Sequence, residues 1–233
     1  MVKCRLEQDR ANFIVKQQLF GTSMLGAPLF YFPAEIDTPE RGLIIAGTHG
    51  DETASMMLIS SALRTLDTNQ LKHDVILSLN PDGNQLSTRA NGNGVDLNRA
   101  FPTRNWLPDD TVYRWSIESP TRKVTIKTGD NLNLEPEVSG LMSLIAERKP
   151  KFVVSFHEPL ACIDTEISSP LVDWMSKAYQ LPVVGSVGYP TPGSFGTWCT
   201  EQQLPCITVE LPDISSDAAV KQYLDATLEL LNY

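Results

Sequence analysis

"GLIIAGTHGDETASMMLISSALRTL" runs from Gly42 to Leu66 and reads as a strand, a polar turn and a helix in immediate succession. Its first part, "GLIIAG" (42–47), is an unalternating apolar run of the kind covered on both faces inside an α/β sheet. Its last part, "TASMMLISSALRTL" (53–66), repeats at helical spacing. Leu58, Ala62 and Leu66 share one face, with Ile59 and Leu63 beside them. Between the two lie His49 and Glu52, three positions apart. In open α/β sheets, ligands gather outside the carboxyl ends of strands. His49 and Glu52 are therefore either ordinary polar loop residues or two jaws of a metal clamp.

The same alternation continues along the chain. Further Val- and Ile-rich runs are "DVILSLN" (74–80), "KFVVSFH" (151–157), "LPVVGSVG" (181–188) and "CITVEL" (206–211). A helix is expected over 135–150, where Pro136 and acids open a Val138, Leu141, Met142, Ile145 stripe and Arg148 and Lys149 close it before Pro150. Another is expected over 214–233, with a serine cap and a Val220, Leu224, Leu228, Leu231 stripe. Strands alternating with helices predict an α/β fold: a mixed, largely parallel central sheet with helices on both faces, in one domain spanning 1–233. Residues 81–134 are rich in Asn, Gly, Asp, Arg and Pro and show no clear period. A loop that long inside a compact domain is usually functional.

The totals narrow the function. A net charge of −9 argues against a duplex-binding face, which needs basic residues. No apolar run reaches the roughly 18 residues of a membrane span, and "MVKCRLEQDRANFIV" scatters charge where a signal peptide needs an apolar core. The expectation is a cytoplasmic protein that binds neither nucleic acid nor membrane. Cys4, Cys162, Cys199 and Cys206 have no CxxC spacing, so four thiols are expected, with a Cys199–Cys206 bridge as the alternative.

His157 ends the third apolar run and can supply a third ligand beside His49 and Glu52. Two imidazoles and a carboxylate leave a tetrahedral zinc with one open position, the arrangement of a catalytic site. Glu210 is an acid at the end of an otherwise apolar strand. An unpaired buried carboxylate is costly, so it either pairs with a cation or faces a site, where it can serve as general base. Arg89 and Arg99 sit in "NPDGNQLSTRANGNGVDLNRAFP" (80–102) and offer paired donors suited to a carboxylate or oxyanion. Asp96 can instead simply pair with one of them. His73, in "LKHDV", has no acidic or histidine cluster around it and reads as a surface residue.

Taken together, "HGDE", "NPDG", "TRANGNGVDLNRAF", the histidine of "SFHEP" and the glutamate of "ITVEL" resemble the zinc metallocarboxypeptidase family. "AGTHGDE", "ALRTL", "YRW", "VVSFHEPLACI" and "SVGYPTPGSFGTWC" are similar to a bacterial subgroup that acts on murein peptides. The resemblance implies one zinc ion held by His49, Glu52 and His157, with Glu210 as general base and then acid. It implies Arg89 as the group that stabilises the oxyanion, and Asn98 and Arg99 as a grip on the carboxylate of the released residue. Tyr189 would close over the site and Phe195 would line the leaving residue's pocket. The implied substrate is the murein tripeptide L-alanyl-γ-D-glutamyl-meso-diaminopimelate, cut at the γ-D-glutamyl–diaminopimelate amide during recycling of cell-wall peptides. Glu158, Asp164 and Asp213 are candidate partners for the second amine of diaminopimelate. One departure stands out: Ala100 occupies the place of the family's asparagine after "NR".

Three other readings compete. A zinc-dependent deacylase of N-acyl amino acids, related to aspartoacylase and succinyl-amino-acid desuccinylase, uses similar ligands. A cysteine hydrolase would pair Cys162 with His157. A binding module on an inactive scaffold would keep the ligands without turnover.

Overall fold

The computed structural model describes residues 2–10, 16–108, 111–114 and 123–233; Trp115 of the "YRW" motif lies outside them. In chain order the strands and helices are β1 (Gln18–Thr22), β2 (Pro28–Tyr31), β3 (Leu43–Ile45), α1 (Thr53–Thr65), β4 (Asp74–Ile76), α2 (Pro81–Leu86), β5 (Thr111–Arg114), β6 (Lys123–Ile126), α3 (Pro136–Arg148), β7 (Val153–His157), β8 (Leu160–Asp164), α4 (Pro170–Tyr179), β9 (Val183–Val184), α5 (Phe195–Glu201), β10 (Cys206–Pro212) and α6 (Ser216–Leu231). Six strands form the central sheet in the order β4–β3–β7–β10–β8–β9. Neighbours run parallel except β10 and β8, which are antiparallel. The sheet is mixed and mostly parallel, as the strand–helix alternation predicts.

Both faces of this sheet are covered, and the strand period of two sorts the side chains between them. Ile44, Val154, Phe156, Ile207 and Val209 pack with residues of α1, α4 and α6. Leu43, Ile45, Val153 and Cys206 pack on the opposite side with residues of α3 and α5. The unalternating hydrophobicity of 42–47 and 151–157 follows from this double coverage. Ser155 and His157 continue the second set, so the polar end of β7 opens on the α5 side.

The helices expected over 53–66 and 135–150 form with their stripes inward. The buried face of α6 centres on Ala219, Tyr223, Thr227 and Leu230, so the expected Val220 and Leu224 are only half-buried. The rotation follows from Tyr223, which stacks on buried Tyr179 at 5.8 Å, while Thr227 meets the Tyr179 hydroxyl at 3.1 Å. The expected strand over 181–188 shortens to β9 because glycine and proline take over, with Gly188 at φ +85°.

Several elements escaped the sequence reading. The β1–β2 hairpin, β8, α4 and α5 were not expected, and the irregular 81–134 region contains α2, a 3-10 turn over Leu97–Arg99 and the antiparallel pair β5 and β6. The start of α2 was encoded in "NPDG": Asn80 accepts the Gly83 N–H at 2.9 Å as N-cap, and Pro81 takes the first helical position. His73 is a correction. It is 2% exposed, and its Nδ1 accepts the Gly42 N–H at 2.9 Å. A histidine read as surface is thus part of the backbone wiring between β3 and β4. All four cysteines are free thiols, and no helix among the described residues is long and apolar enough to cross a membrane.

Candidate metal centre

β3 delivers the chain to the site, and glycines let it turn there. Gly47 takes φ +65°, a left-handed conformation that favours glycine. At Gly50 an added Cβ would lie 2.1 Å from the Gly83 carbonyl carbon, and its N–H bonds the Arg89 carbonyl at 3.2 Å. This approach brings the His49 turn against the loop that carries Arg89. Glu52 follows as the residue at the N-terminus of α1, with its side chain directed away from capping. The parallel register of β7 and β10 sets His157 beside Glu210.

His49, Glu52 and His157 are all buried, and one ligand atom from each lies within 4.8 Å of the others. The two Nδ1 atoms are 3.2 Å apart, with Glu52 Oε1 2.7 Å from the first and Oε2 2.9 Å from the second. The opposite ring nitrogens are engaged elsewhere. His49 Nε2 meets Asp96 Oδ1 at 3.1 Å, and His157 Nε2 meets Ser155 Oγ at 3.0 Å. Such contacts orient the rings and leave both Nδ1 atoms turned to one point. Two ring nitrogens and a carboxylate concentrate lone pairs there, and a cation relieves them. A proton is one such cation. Burial and Arg89 act to lower the His49 pKa, but the Glu52 and Asp96 carboxylates prevail and raise it to about 9. The donor set equally fits a divalent metal of the zinc type, with two nitrogens and one carboxylate.

The acids around the centre are held ionised. Burial alone would raise Asp96, yet Arg89 and His49 hold it well below the usual carboxylate range. Glu52 is likewise depressed against its burial by the two histidines. Arg89 bridges both acids, donating from Nη1 to Glu52 Oε1 at 3.0 Å and from Nε to Asp96 Oδ2 at 3.1 Å. The plain reading of Asp96 as an arginine partner therefore holds, but the same carboxylate also orients His49. The sequence reading gave it no such part. A lone Asp in "GVDLNR" carries no signal until the fold brings it 3.1 Å from a ring nitrogen 47 positions away.

Glu210 behaves differently. Its Oε2 is sealed from solvent with no hydrogen-bond partner, and burial raises its pKa against the opposing pull of His157. Arg99 is 8% exposed and donates from Nη1 to the Asn98 carbonyl at 2.7 Å. No carboxylate pairs with it among the described residues. The Asn98 side chain accepts the Phe195 N–H at 2.9 Å, which ties this turn to the start of α5. Tyr189 is half-exposed; burial raises its pKa, and the charges of Glu210 and Arg99 both reach it. Phe195 requires a correction. Its ring is buried against Phe101 at 5.0 Å and Trp198 at 6.0 Å, so it belongs to the core. Its neighbours Ser194, Gly196 and Thr197 face the adjoining cleft instead. Ala100 is buried, and a Cβ added at Gly129 would lie 3.3 Å from its methyl group. Cys162 sits opposite Glu210 on β8, where burial and that acid push its thiol up to about 11. A thiol so poorly ionised is a weak nucleophile.

A family model described as zinc carboxypeptidase matches residues 8–161. Murein peptide amidase A of Vibrio campbellii is 60% identical over 97% of this chain and 91% of its own length. Its namesake from Escherichia coli K12 is 50% identical over 100% of this chain and 96% of its own. The crystal structure of murein-tripeptide amidase MpaA from Escherichia coli O157 superposes with a TM-score of 0.96 at 50% identity, covering 100% of this chain and 98% of that one. Bovine thrombin-activatable fibrinolysis inhibitor, at 17% identity and a TM-score of 0.72, covering 97% of this chain and 90% of its own, shares the fold. A nitrogen–carboxylate donor set at the carboxyl ends of a mixed sheet, with homology along its whole length, leads to one conclusion: this chain belongs to the zinc carboxypeptidase family.

Proposed function

We propose that the chain is a zinc-dependent peptide amidase that hydrolyses the γ-D-glutamyl–meso-diaminopimelate bond of murein tripeptide. The observation that carries this reading is the buried His49–Glu52–His157 group, whose ligand atoms lie within 4.8 Å of one another, beside a carboxylate with an unpartnered oxygen at Glu210. His49, Glu52 and His157 would hold the zinc. When bound, it would supply Lewis acidity and lower the barrier to activating water at neutral pH.

The chain's own residues do the rest. Glu210 takes a proton from the attacking water and returns it to the departing amine. Its unpartnered Oε2 is free for that exchange, and its raised pKa strengthens the carboxylate as acceptor of the water's proton. Arg89 presents its guanidinium beside Glu52 and would stabilise negative charge as it develops on the scissile carbonyl oxygen. Arg99, buried without an acidic partner among the described residues, would grip the carboxylate of the released residue together with Asn98. Tyr189 would cover the bound peptide.

One catalytic domain over 1–233 and a cytoplasmic site of action complete the proposal; four free thiols support the latter. The test is metal analysis coupled to hydrolysis of synthetic murein tripeptide, before and after chelation. Zinc at one per chain with chelator-sensitive release of diaminopimelate is expected. Preferential hydrolysis of N-acyl amino acids instead would move the chain to the deacylases.

A further inference from the structure

Beside the metal centre lies a cleft of about 610 Å³ whose walls come from β8, β10, the segment after β9 and α5. It shares Tyr189 with the proposed machinery and strand β10 with Glu210. Thr208 lines it and lies two residues before Glu210 on a strand whose even-numbered residues are the less buried ones. Ser194 and Gly196 line it on either side of Phe195, whose N–H is held by Asn98. Tyr189 lines it as well.

The charge in this cleft is of one sign. Asp164 and Glu166 are its ionisable acids, and no Lys, Arg or His lines it among the described residues. Asp164 pairs in register with Thr208, as Cys162 does with Glu210, so it faces the cleft two residues along the sheet from the general base. That separation is about 7 Å along a strand. It is comparable to the five bonds, about 7.5 Å of chain at about 1.5 Å each, between the Cα of a released diaminopimelate and its distal nitrogen. Burial and then Glu166 raise the Asp164 pKa, so the pair is electrostatically unrelieved. An ammonium group would relieve it.

The two rival acids are otherwise placed. Glu158 Oε1 accepts the Ser55 N–H at 2.8 Å and so caps the start of α1. Asp213 is exposed beyond the end of β10, outside the cleft walls.

Resting on the murein-peptide reading above, we propose that Asp164 determines specificity by accepting the distal ammonium of the released residue. Hydroxyls of Thr197 and Thr208 on the same walls supply donors for the carboxylate next to that ammonium.

The test compares zinc-loaded wild type with Asp164→Asn on two tripeptides that differ only in the leaving residue. One ends in meso-diaminopimelate and the other in 2-aminopimelate, which lacks the distal amine. The variant is expected to lose roughly 10- to 150-fold in kcat/KM on the first peptide, mostly through KM, as for a lost hydrogen bond to a charged group. It should lose far less on the second, and Asp164→Glu should recover part of the discrimination. Equal losses on both peptides, or no loss on the first with zinc content and Tm unchanged, would overturn the assignment. If the wild type cleaved both peptides equally well, this inference alone would fall. If it cleaved neither, the murein reading would fall and this assignment with it.

Discussion

Glu210, half-buried with one oxygen sealed from solvent, and buried Arg99 are charges of opposite sign, and neither has an oppositely charged partner within ion-pair distance among the described residues. Each is costly to keep unless a ligand or a reaction uses it. Glu210→Gln should keep the zinc and lower kcat by roughly 100- to 10,000-fold, the usual contribution of a general base. In the wild type, kcat/KM should fall as acid protonates Glu210, at a pH above the ordinary glutamate value because burial raises it. Zinc content and a pH–rate profile check both, and full activity in the variant would reject the role. Arg99→Gln should cost about 1.5–3 kcal/mol in kcat/KM on peptides with a free terminal carboxylate. It should cost far less on their amides, and equal losses would remove the carboxylate grip.

His73 gives a stability prediction of known sign. Burial, with Lys72 adding to it, lowers its pKa from 6.5 to about 4. The unfolded chain therefore binds the proton first as pH falls. The neutral ring's contribution is fully present above pH 6.5 and is lost progressively between 6.5 and about 4, up to about 3 kcal/mol. His73→Asn, which keeps an acceptor for the Gly42 N–H, should flatten that part of the stability–pH curve. Urea melts across the window measure it.

Among the elements, the contact between the His49 turn and the Arg89 loop is the most exacting. Gly50 lies so close to Gly83 that a methyl group cannot be added without moving one loop. Gly50→Ala should cost about 1–3 kcal/mol and weaken zinc binding, because the displaced turn carries His49, one of the three proposed ligands. Unchanged Tm and zinc affinity would show that the loops yield freely. The Arg89 loop is braced from behind by Asn91, whose amide donates to Glu135 at 2.7 Å and to Glu137 at 3.2 Å, joining it to α3. The far end of α3 is held by Arg148, which donates from Nε and Nη2 to the two oxygens of fully buried Asp74 at 2.9 and 3.0 Å. Arg148→Ala leaves that carboxylate only the Arg41 guanidinium at 3.5 Å and the Ala34 N–H at 2.9 Å and should destabilise the fold by about 1.5–3 kcal/mol, read as a shifted urea midpoint.

For the whole molecule, the metal is expected to couple to stability because the proposed ligands come from chain segments more than a hundred positions apart. Zinc at about a hundred times its Kd should raise the unfolding free energy by about 3 kcal/mol. Chelation should lower Tm accordingly, and the dependence should vanish in His49→Ala/His157→Ala. A Tm indifferent to zinc in the wild type would remove the metal from this group.

The largely parallel sheet, α1 and α3 were legible in the sequence because burial imposes a short-range pattern. Strands covered on both faces lose their polar alternation, and packed helices repeat every three to four residues. The His49–Glu52–His157 group that could hold a metal was named from motif resemblance, while α2 was missed although its Asn-Pro cap was written out. The hand-off from His49 to Asp96, the diversion of Phe195 into the core, the burial of His73 and the bond from the Ser55 N–H to Glu158 were decided only by tertiary structure. Each depends on which distant backbone or ring lies within about 3 Å of a given side chain, and spacing along a chain does not encode that distance until the sheet has brought its strand ends together.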